Sequence, residues 1–395
     1  MKIIILFLFF MSILYSQTII RVPQDYDKIQ TAIDSSKSSD TILVSNGVYH
    51  ENLRITKPVT IIGDTNTSTI ITTDSLYLTA IYINASNVLL SNIQIKKIPA
   101  NEGIMIVNSD SCIIDKCVID TNLHILSFTE KNYFYGIYVL SSNHIMITNT
   151  VIKDNKGGSY YGYQSVEGSD AIGINIENSS DVKVKNCLVY NNKRGESSDG
   201  LYGEGTGVKI ANSVNNILIR NCSIYKNNIG IFFYYTNSIA TVGGSPENTN
   251  NIYNNSDYNI RNESDTTINA TYNYWGTTNE DSISSLIWGK VNYSEFITGI
   301  HFTSTEIPKA MILYQNYPNP FNPETTIRFS IPKSGYVTLG VYDLLGRNIS
   351  MLLNNFLKPG MHEINFNGSN FSSGIYFYRL TWNNYSTVKK FVILK

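Results

Sequence analysis

Several things are scarce in this chain. Charged residues make up only 15% of its 395 positions, and the formal net charge is −1. Nothing in that balance points to the basic patch a nucleic-acid partner requires. Cysteine occurs four times, with no Cys-x-x-Cys and no Cys/His spacing, so no zinc site is implied. Tryptophan occurs three times and proline ten times. No apolar run after residue 16 is long enough to span a bilayer, and no periodic run is long enough for a sizeable helix. The polar content is instead Asn, Ser, Thr and 28 tyrosines, which suits an extracellular solenoid rather than a cytosolic enzyme.

One short phrase recurs. It reads Ala80-Ile81-Tyr82-Ile83, Gly103-Ile104-Met105-Ile106, Gly136-Ile137-Tyr138-Val139, Gly173-Ile174-Asn175-Ile176, Gly207-Val208-Lys209-Ile210 and Gly230-Ile231-Phe232-Phe233. A second signature follows at Asn92, Lys116, Asn149, Asn186 and Asn221. A fixed period in the range of about 20–50 residues marks a solenoid. Each repeat holds three short alternating runs, so each strand buries one face. Three strands per coil, each pairing with its counterpart in the next, make a parallel β-helix. The recurring Asn suits a tight turn that needs left-handed backbone, and stacking predicts a ladder of side-chain amides there. Cys117, Cys187 and Cys222 share one inward column, with Thr150 between the first two; they read as small buried hydrophobes. A Cys187–Cys222 bridge between adjacent coils is the alternative in an oxidising compartment.

The repeat starts lie 23, 33, 37, 34 and 23 residues apart. The extra residues of the middle three fall at one place, roughly 121–135, 156–171 and 193–206. Stacking sets them side by side, and insertions gathered on one face mark a binding face. They carry Tyr135, Tyr160, Tyr161, Tyr163 and Tyr202, with Glu167, Asp170, Asp199 and Glu204. Tyr138, Asn175 and Lys209 stand beside them on the first strand of each repeat. Aromatics next to carboxylates suit sugars: a ring stacks on the C–H face while carboxylates take hydroxyls or hold calcium. The carbohydrate-binding candidates are therefore Tyr135, Tyr138, Tyr160, Tyr161, Tyr163, Tyr202 and Asn175. Calcium is the one cofactor candidate, with Glu167, Asp170 and Asp199 as ligands. For catalysis, two carboxylates can cleave a glycosidic bond, and Lys209 with Asp170, Asp199 or Glu204 can abstract a proton beside a uronate carboxyl. The bland alternative is that the aromatics fold the loops onto the wall and the carboxylates solvate them.

At the start of the chain, Met1-Lys2, an apolar run over 3–14 and Tyr15-Ser16-Gln17 read as a signal peptide cleaved between Ser16 and Gln17. Ile29, Ala32 and Ile33 form one apolar stripe on a short capping helix. Trp275 and Trp288 read as a plug for the far end. Residues 301–311 read as a linker. After them come Asn316-Tyr-Pro-Asn-Pro-Phe-Asn-Pro323 and four alternating strands between Val337 and Leu394, a small β-sandwich.

The repeat resembles the right-handed parallel β-helix of the pectin lyase-like superfamily over about residues 18–300. Gly47-Val-Tyr-His-Glu-Asn52 is similar to the first coils of pectinesterase-like members, where that stretch is structural, so His50 and Glu51 are expected to be scaffold. The paired Asp and Gly-His-Gly of polygalacturonase-like hydrolases, the Asp-Phe-Ile-Phe-Gly of pectinesterases and the Asp-Pro-His-Asp of alginate epimerases are absent. The sandwich resembles the C-terminal sorting domain of type IX secretion. The matching residues are Asn316–Pro323, Val341-Tyr-Asp-Leu-Leu-Gly-Arg347, Ser373-Gly-Ile-Tyr-Phe-Tyr378 and Lys389–Lys395. An accessory immunoglobulin-like module is the alternative there.

The expectation is thus an all-β chain: signal peptide 1–16, right-handed parallel β-helix 17–300 with cap and plug, linker 301–311, and immunoglobulin-like sorting domain 312–395. The type IX resemblance implies passage through the periplasm to the cell surface or medium. The implied partners are the type IX machinery and an extracellular polysaccharide. Binding is preferred over catalysis because the hydrolase and esterase motifs are missing. A polysaccharide lyase or glycoside hydrolase in the same groove is the alternative, and a purely structural surface fibre is the plainest form of the first.

Overall fold

The computed structural model describes residues 18–73, 79–99, 101–122, 133–161, 166–195, 203–235, 239–297, 310–316, 318–357, 360–383 and 385–394; side chains of 159–161, 166–167 and 361 are not among them. The signal-peptide residues, Ser16 and Gln17 included, and most of the expected linker lie outside the described residues.

Three parallel sheets of eleven, nine and eight strands run the length of the solenoid. A complete coil contributes one strand to each. The fourth repeat shows the pattern: Asp170–Glu177 lies in the nine-stranded sheet, Lys183–Lys185 in the eleven-stranded and Leu188–Tyr190 in the eight-stranded. Alternation drives this. Ile174, Ile176, Val184 and Val189 are fully buried, and the intervening residues face out. The resulting core is one continuous stack of Ile, Val, Leu and Cys from Ile20 to Ile283.

The repeated glycine has a steric cause. A Cβ on Gly103, Gly136, Gly173 or Gly207 would stand 2.6, 2.5, 2.6 and 2.6 Å from the carbonyl oxygen of the glycine one coil on. A carbonyl belonging to a paired backbone cannot yield, so that approach admits no side chain.

The expected left-handed turn is present at Asn92, Lys116, Asn149, Asn186 and Asn221, with φ between +50° and +57°. The amide ladder, however, is not there. In that column one amide–amide bond forms, Asn186 Nδ2 to Asn149 Oδ1 at 3.1 Å, and Asn149 itself donates to Asp115. The long ladder lies at the next corner. Asn122, Asn155, Asn192, Asn227 and Asn255 are buried, and each donates Nδ2 to Oδ1 of the next at 3.0, 2.7, 3.1 and 3.2 Å. The same oxygens accept backbone N–H groups of Asn122, Asn192 and Asn227, so the corner leaves few buried polar groups unmade.

All four cysteines are free and buried. Burial pushes the Cys117 thiol up to about 12 and raises Cys187, whose neighbour Cys222 adds to the effect. They are core residues, and the Cys187–Cys222 bridge is not formed.

The cap is built as expected. Helix Ile29–Ser35 buries Ile29, Ala32 and Ile33. Its first N–H groups, at Ile29 and Gln30, are each 2.9 Å from the carboxylate of Glu51, one coil away. Glu51 is therefore scaffold: a carboxylate at a helix N-terminus satisfies orphan donors. At the far end Trp275 is buried against Tyr293, a plug. Trp288 differs from expectation: it is 48% exposed on the outer face. Among the described residues no helix is long and apolar enough to cross a membrane.

The C-terminal sandwich has a three-stranded and a four-stranded antiparallel sheet, closed over Ile327, Phe329, Val337, Leu339, Tyr378, Leu380 and Phe391. Tyr378 Oη accepts from Asn316 N–H and donates to the Tyr314 carbonyl, which anchors the proline-rich approach.

Candidate functional site

The outer face of the nine-stranded sheet carries one residue per coil in strict register. The row reads Arg54, Tyr82, Met105, Tyr138, Asn175, Lys209, Phe232, Arg261 and Trp288. In the middle coils the strands extend toward their N-termini, so the last residues of the insertions are wall and not loop. Tyr133 pairs with Asp170, and Tyr135 with Ile172, which pairs with Thr206.

This extension gathers the charged candidates. Lys209 Nζ is 3.0 Å from Glu204 Oε2, and the Glu204 N–H donates to Asp170 Oδ1 at 2.7 Å. Lys209 Nζ also lies 5.1 Å from the Phe232 ring centroid and 4.8 Å from that of Tyr234. The ammonium is thus held between a carboxylate and two aromatic faces. Arg261 covers the Phe232 ring at 4.7 Å and approaches Trp288 at 5.5 Å.

The tyrosines form a second group. Tyr135 stacks on Tyr138 at 4.7 Å and on Tyr133 at 6.0 Å. Tyr138 Oη donates to Glu177 Oε2 at 2.7 Å, and Asn212 Nδ2 donates to the other oxygen at 2.7 Å. Burial, and then the hydrogen bond to Glu177, raises the Tyr138 phenol; burial, and then neighbouring Tyr138 and Asp170, raises Tyr135. Both phenols stay neutral at physiological pH, and Tyr138 donates its proton to Glu177. Asn175 is buried beside them, with Oδ1 lacking a partner among the described residues.

Of the sequence candidates, Tyr135, Tyr138, Asn175, Asp170, Glu204 and Lys209 thus share one face. Asp199, Tyr163 and Tyr202 lie outside the described residues. Tyr160 and Glu167 are registered partners in an antiparallel hairpin, Ser159–Tyr161 with Val166–Gly168, which also holds Tyr161. Among the described residues no three His, Cys, Asp or Glu side chains are placed to hold a metal ion. One oxygen of Asp170, the described member of the calcium set, is engaged by the Glu204 amide.

Sequence reading did not single out Tyr234, Tyr235 or Glu102 on this face. The open aromatic surface is at Tyr133, Tyr234, Tyr235 and Trp288, exposed by 37, 37, 68 and 48%, whereas Tyr135 and Tyr138 are largely engaged with each other. Glu102 is the register partner of Tyr135. Burial raises its carboxyl above the ordinary glutamate value, against a hydrogen bond of 2.8 Å from Thr79. Its position just before Gly103 in the repeated phrase was the available signal.

A family model for the right-handed β-helix region matches residues 79–279. The chain belongs to the right-handed β-helix family. A second model, the secretion system C-terminal sorting domain, matches residues 315–394. This β-helix protein is therefore exported by type IX secretion to the cell surface or the extracellular space. Curated protein sequences give no significant match. Solved structures similar to it include the mannuronan C-5 epimerase A-module of Azotobacter vinelandii, at 14% identity over 70% of this chain and 86% of that one, TM-score 0.37. An alginate lyase from Paenibacillus sp. is similar at 15% identity over 67% and 95%, TM-score 0.37. A pectin methylesterase from Aspergillus niger follows at 15% over 57% and 86%, TM-score 0.29. Likeness at this level carries no argument about the chemistry of the β-helix protein.

Proposed function

We propose that the exported β-helix binds an extracellular polysaccharide along the outer face of its nine-stranded sheet. The observation that carries this reading is the registered row from Arg54 to Trp288. It sets cations, aromatic rings and an amide one per coil, about 4.8 Å apart. That spacing is close to the length of one sugar in an extended chain. Tyr234, Tyr235 and Trp288 supply open rings for C–H faces, and Lys209 and Arg261 supply cationic donors. A polysaccharide lyase or glycoside hydrolase at the same face is the second reading. What favours it is the convergence of Asp170, Glu204 and Lys209. What weighs against it is that Lys209 Nζ is already engaged by Glu204 and by the Phe232 and Tyr234 rings.

The test is retention of the full chain on a panel of immobilised acidic and neutral polysaccharides. New reducing ends and ultraviolet-absorbing unsaturated products are followed in parallel, with calcium and with chelator. Retention that falls on Lys209→Ala or Trp288→Ala, without new ends, supports binding. Unsaturated products would replace binding by lyase chemistry, and reducing ends without that absorbance by hydrolysis. No retention and no products across the panel would reject both readings.

A further inference from the structure

The eight-stranded sheet has its own outward row, and its character changes half-way along. In register it reads Lys96, Asp120, Lys153, then Tyr190, Tyr225 and Tyr253; Tyr274, in the next coil, packs on Tyr253. The early part is a row of charges, with Asp120, itself buried, between Lys96 at 3.8 Å and Lys153 at 3.3 Å. The later part is a stack of phenol rings, 4.9 Å and 5.3 Å apart and within 8° and 6° of parallel. Their faces cover each other, so what the column presents outward is a line of hydroxyl-bearing edges. On an open solenoid face such edges would be wet. Here Tyr225, Tyr253 and Tyr274 are each only 7% exposed.

The cover is the sorting domain. Strands Glu324–Ile331 and Gly360–Asn367 pair so that Arg328 faces Glu363 and Thr326 faces Asn365. Ile327 and Phe329 point into the sandwich core, so Arg328 lies on its outer side. Arg328 and Glu363 form an ion pair. The hydroxyls meet this surface one to one. Tyr253 Oη donates to Glu363 Oε2 at 3.0 Å, and the Arg328 and Asn365 side chains lie beside the Tyr225 and Tyr274 hydroxyls and act on those phenols. Matched donors and acceptors at a desolvated contact are what distinguishes a specific interface from accidental apposition.

We propose that the tyrosine column is the seat of the chain's own sorting domain, a latch that holds residues 310–394 on the last coils until the domain is released. The latch exists only when the coils carrying Tyr225, Tyr253 and Tyr274 are stacked, so docking depends on completion of the β-helix. Release uncovers the phenol edges as a new surface, on a different sheet from the polysaccharide face and independent of that reading.

The experiment is nitration of the full chain by tetranitromethane, with the rate at each tyrosine read by peptide mass spectrometry. It is compared with the Arg328→Ala/Glu363→Ala double variant, whose substitutions leave the sandwich core untouched. Slow nitration of Tyr225, Tyr253 and Tyr274 in the parent chain, roughly tenfold faster or more in the variant, is expected. Small-angle scattering should show the variant more extended. Equal rates in the two proteins, whether fast or slow, overturn the latch. If the double variant does not fold, Tyr253→Asp sets a second carboxylate against Glu363, and Tyr225 and Tyr274 are read by the same criterion.

Discussion

Lys209 Nζ lies 3.0 Å from Glu204 Oε2, and Glu204 is held in turn through its backbone N–H by Asp170. The lysine sits on one strand, its partner just before that strand, and Asp170 one coil earlier. Substituting Lys209 by Ala removes the cation from the row and leaves Glu204 facing the ligand. A chain carrying Lys209→Ala should bind an acidic polysaccharide about tenfold more weakly, the scale of one charge-assisted contact. Glu204→Gln should act oppositely, freeing the ammonium and tightening binding of acidic chains. Both effects should shrink as salt is raised. Affinity measured by calorimetry or biolayer interferometry at two ionic strengths checks the pair; identical affinities for the parent and Lys209→Ala would remove this lysine from the site.

The glycine column predicts a steric cost. In Gly173→Ala the new methyl stands 2.6 Å from the Gly207 carbonyl oxygen and 2.8 Å from Val189 Cγ1. Neither coil can move without breaking its neighbours' ladder, so a loss of about 1–3 kcal/mol is expected. Gly374→Ala in the sorting domain is the control, because its nearest atom is the Tyr376 ring at 3.8 Å. The measurement is the denaturant midpoint of each variant by tryptophan fluorescence and circular dichroism. A Gly173→Ala protein as stable as the control variant would contradict the packing account.

Much of this was legible before any coordinates. Period-two alternation in runs as short as Ile174-Asn-Ile176 marks strands, and the recurring Gly-Ile marks coils. Asn92, Asn149, Asn186 and Asn221 did mark left-handed corners. The ladder was misplaced because a left-handed turn and an inward amide ask for different positions. At the first corner the residue that adopts positive φ is itself the repeated Asn, and its side chain is only half-buried. At the second, positive φ falls on Thr121, Asp154, Asn191, Lys226 and Asn254, and the residue after each is the buried Asn. The phrase Val-Ile-Asp-Thr-Asn122, Val-Ile-Lys-Asp-Asn155, Leu-Val-Tyr-Asn-Asn192, Ser-Ile-Tyr-Lys-Asn227 contains that signal. The charged cluster was legible only in part. That Asp170, Glu204 and Lys209 meet follows from stacking, but the strand extension that brings Tyr133 beside Asp170 has no periodic signature. The tyrosine seat was invisible for another reason: its partner lies in a separate domain, with Tyr253 and Glu363 110 residues apart.

The buried amides themselves make a prediction. Asn192 receives one hydrogen bond on Oδ1 from Asn155, and its Nδ2 lies 3.1 Å from Asn227 Oδ1 and 3.3 Å from the Ile152 carbonyl. In Asn192→Ala the Asn155 amide loses its acceptor in a dry corner, and a buried unsatisfied donor costs about 1–3 kcal/mol beyond the cavity. The coil should open locally before the solenoid melts. Amide hydrogen exchange over 188–195 and over the facing coil at 151–156 should quicken, with the cap at 29–55 unchanged. Uniform exchange across all coils would mean that the ladder is not a local fastener.

Glu102 gives a pH dependence with a definite sign. Burial raises its carboxyl above the ordinary glutamate value of 4.5, and the Thr79 hydrogen bond offsets this only in part. The folded chain therefore keeps a proton that the unfolded chain has released. Where the native state binds more protons, stability falls as pH rises. Glu102 should thus leave stability untouched below the ordinary value, and subtract from it as pH climbs from 4.5 through its folded value. Glu102→Gln replaces the charge by a neutral amide of the same shape and removes the penalty. The variant should match the parent near pH 4 and exceed it in melting temperature at pH 7. A calorimetric series from pH 4 to 8 measures both curves. Parallel curves, or a variant less stable at pH 7, would mean that the Glu102 carboxylate is solvated in the folded chain.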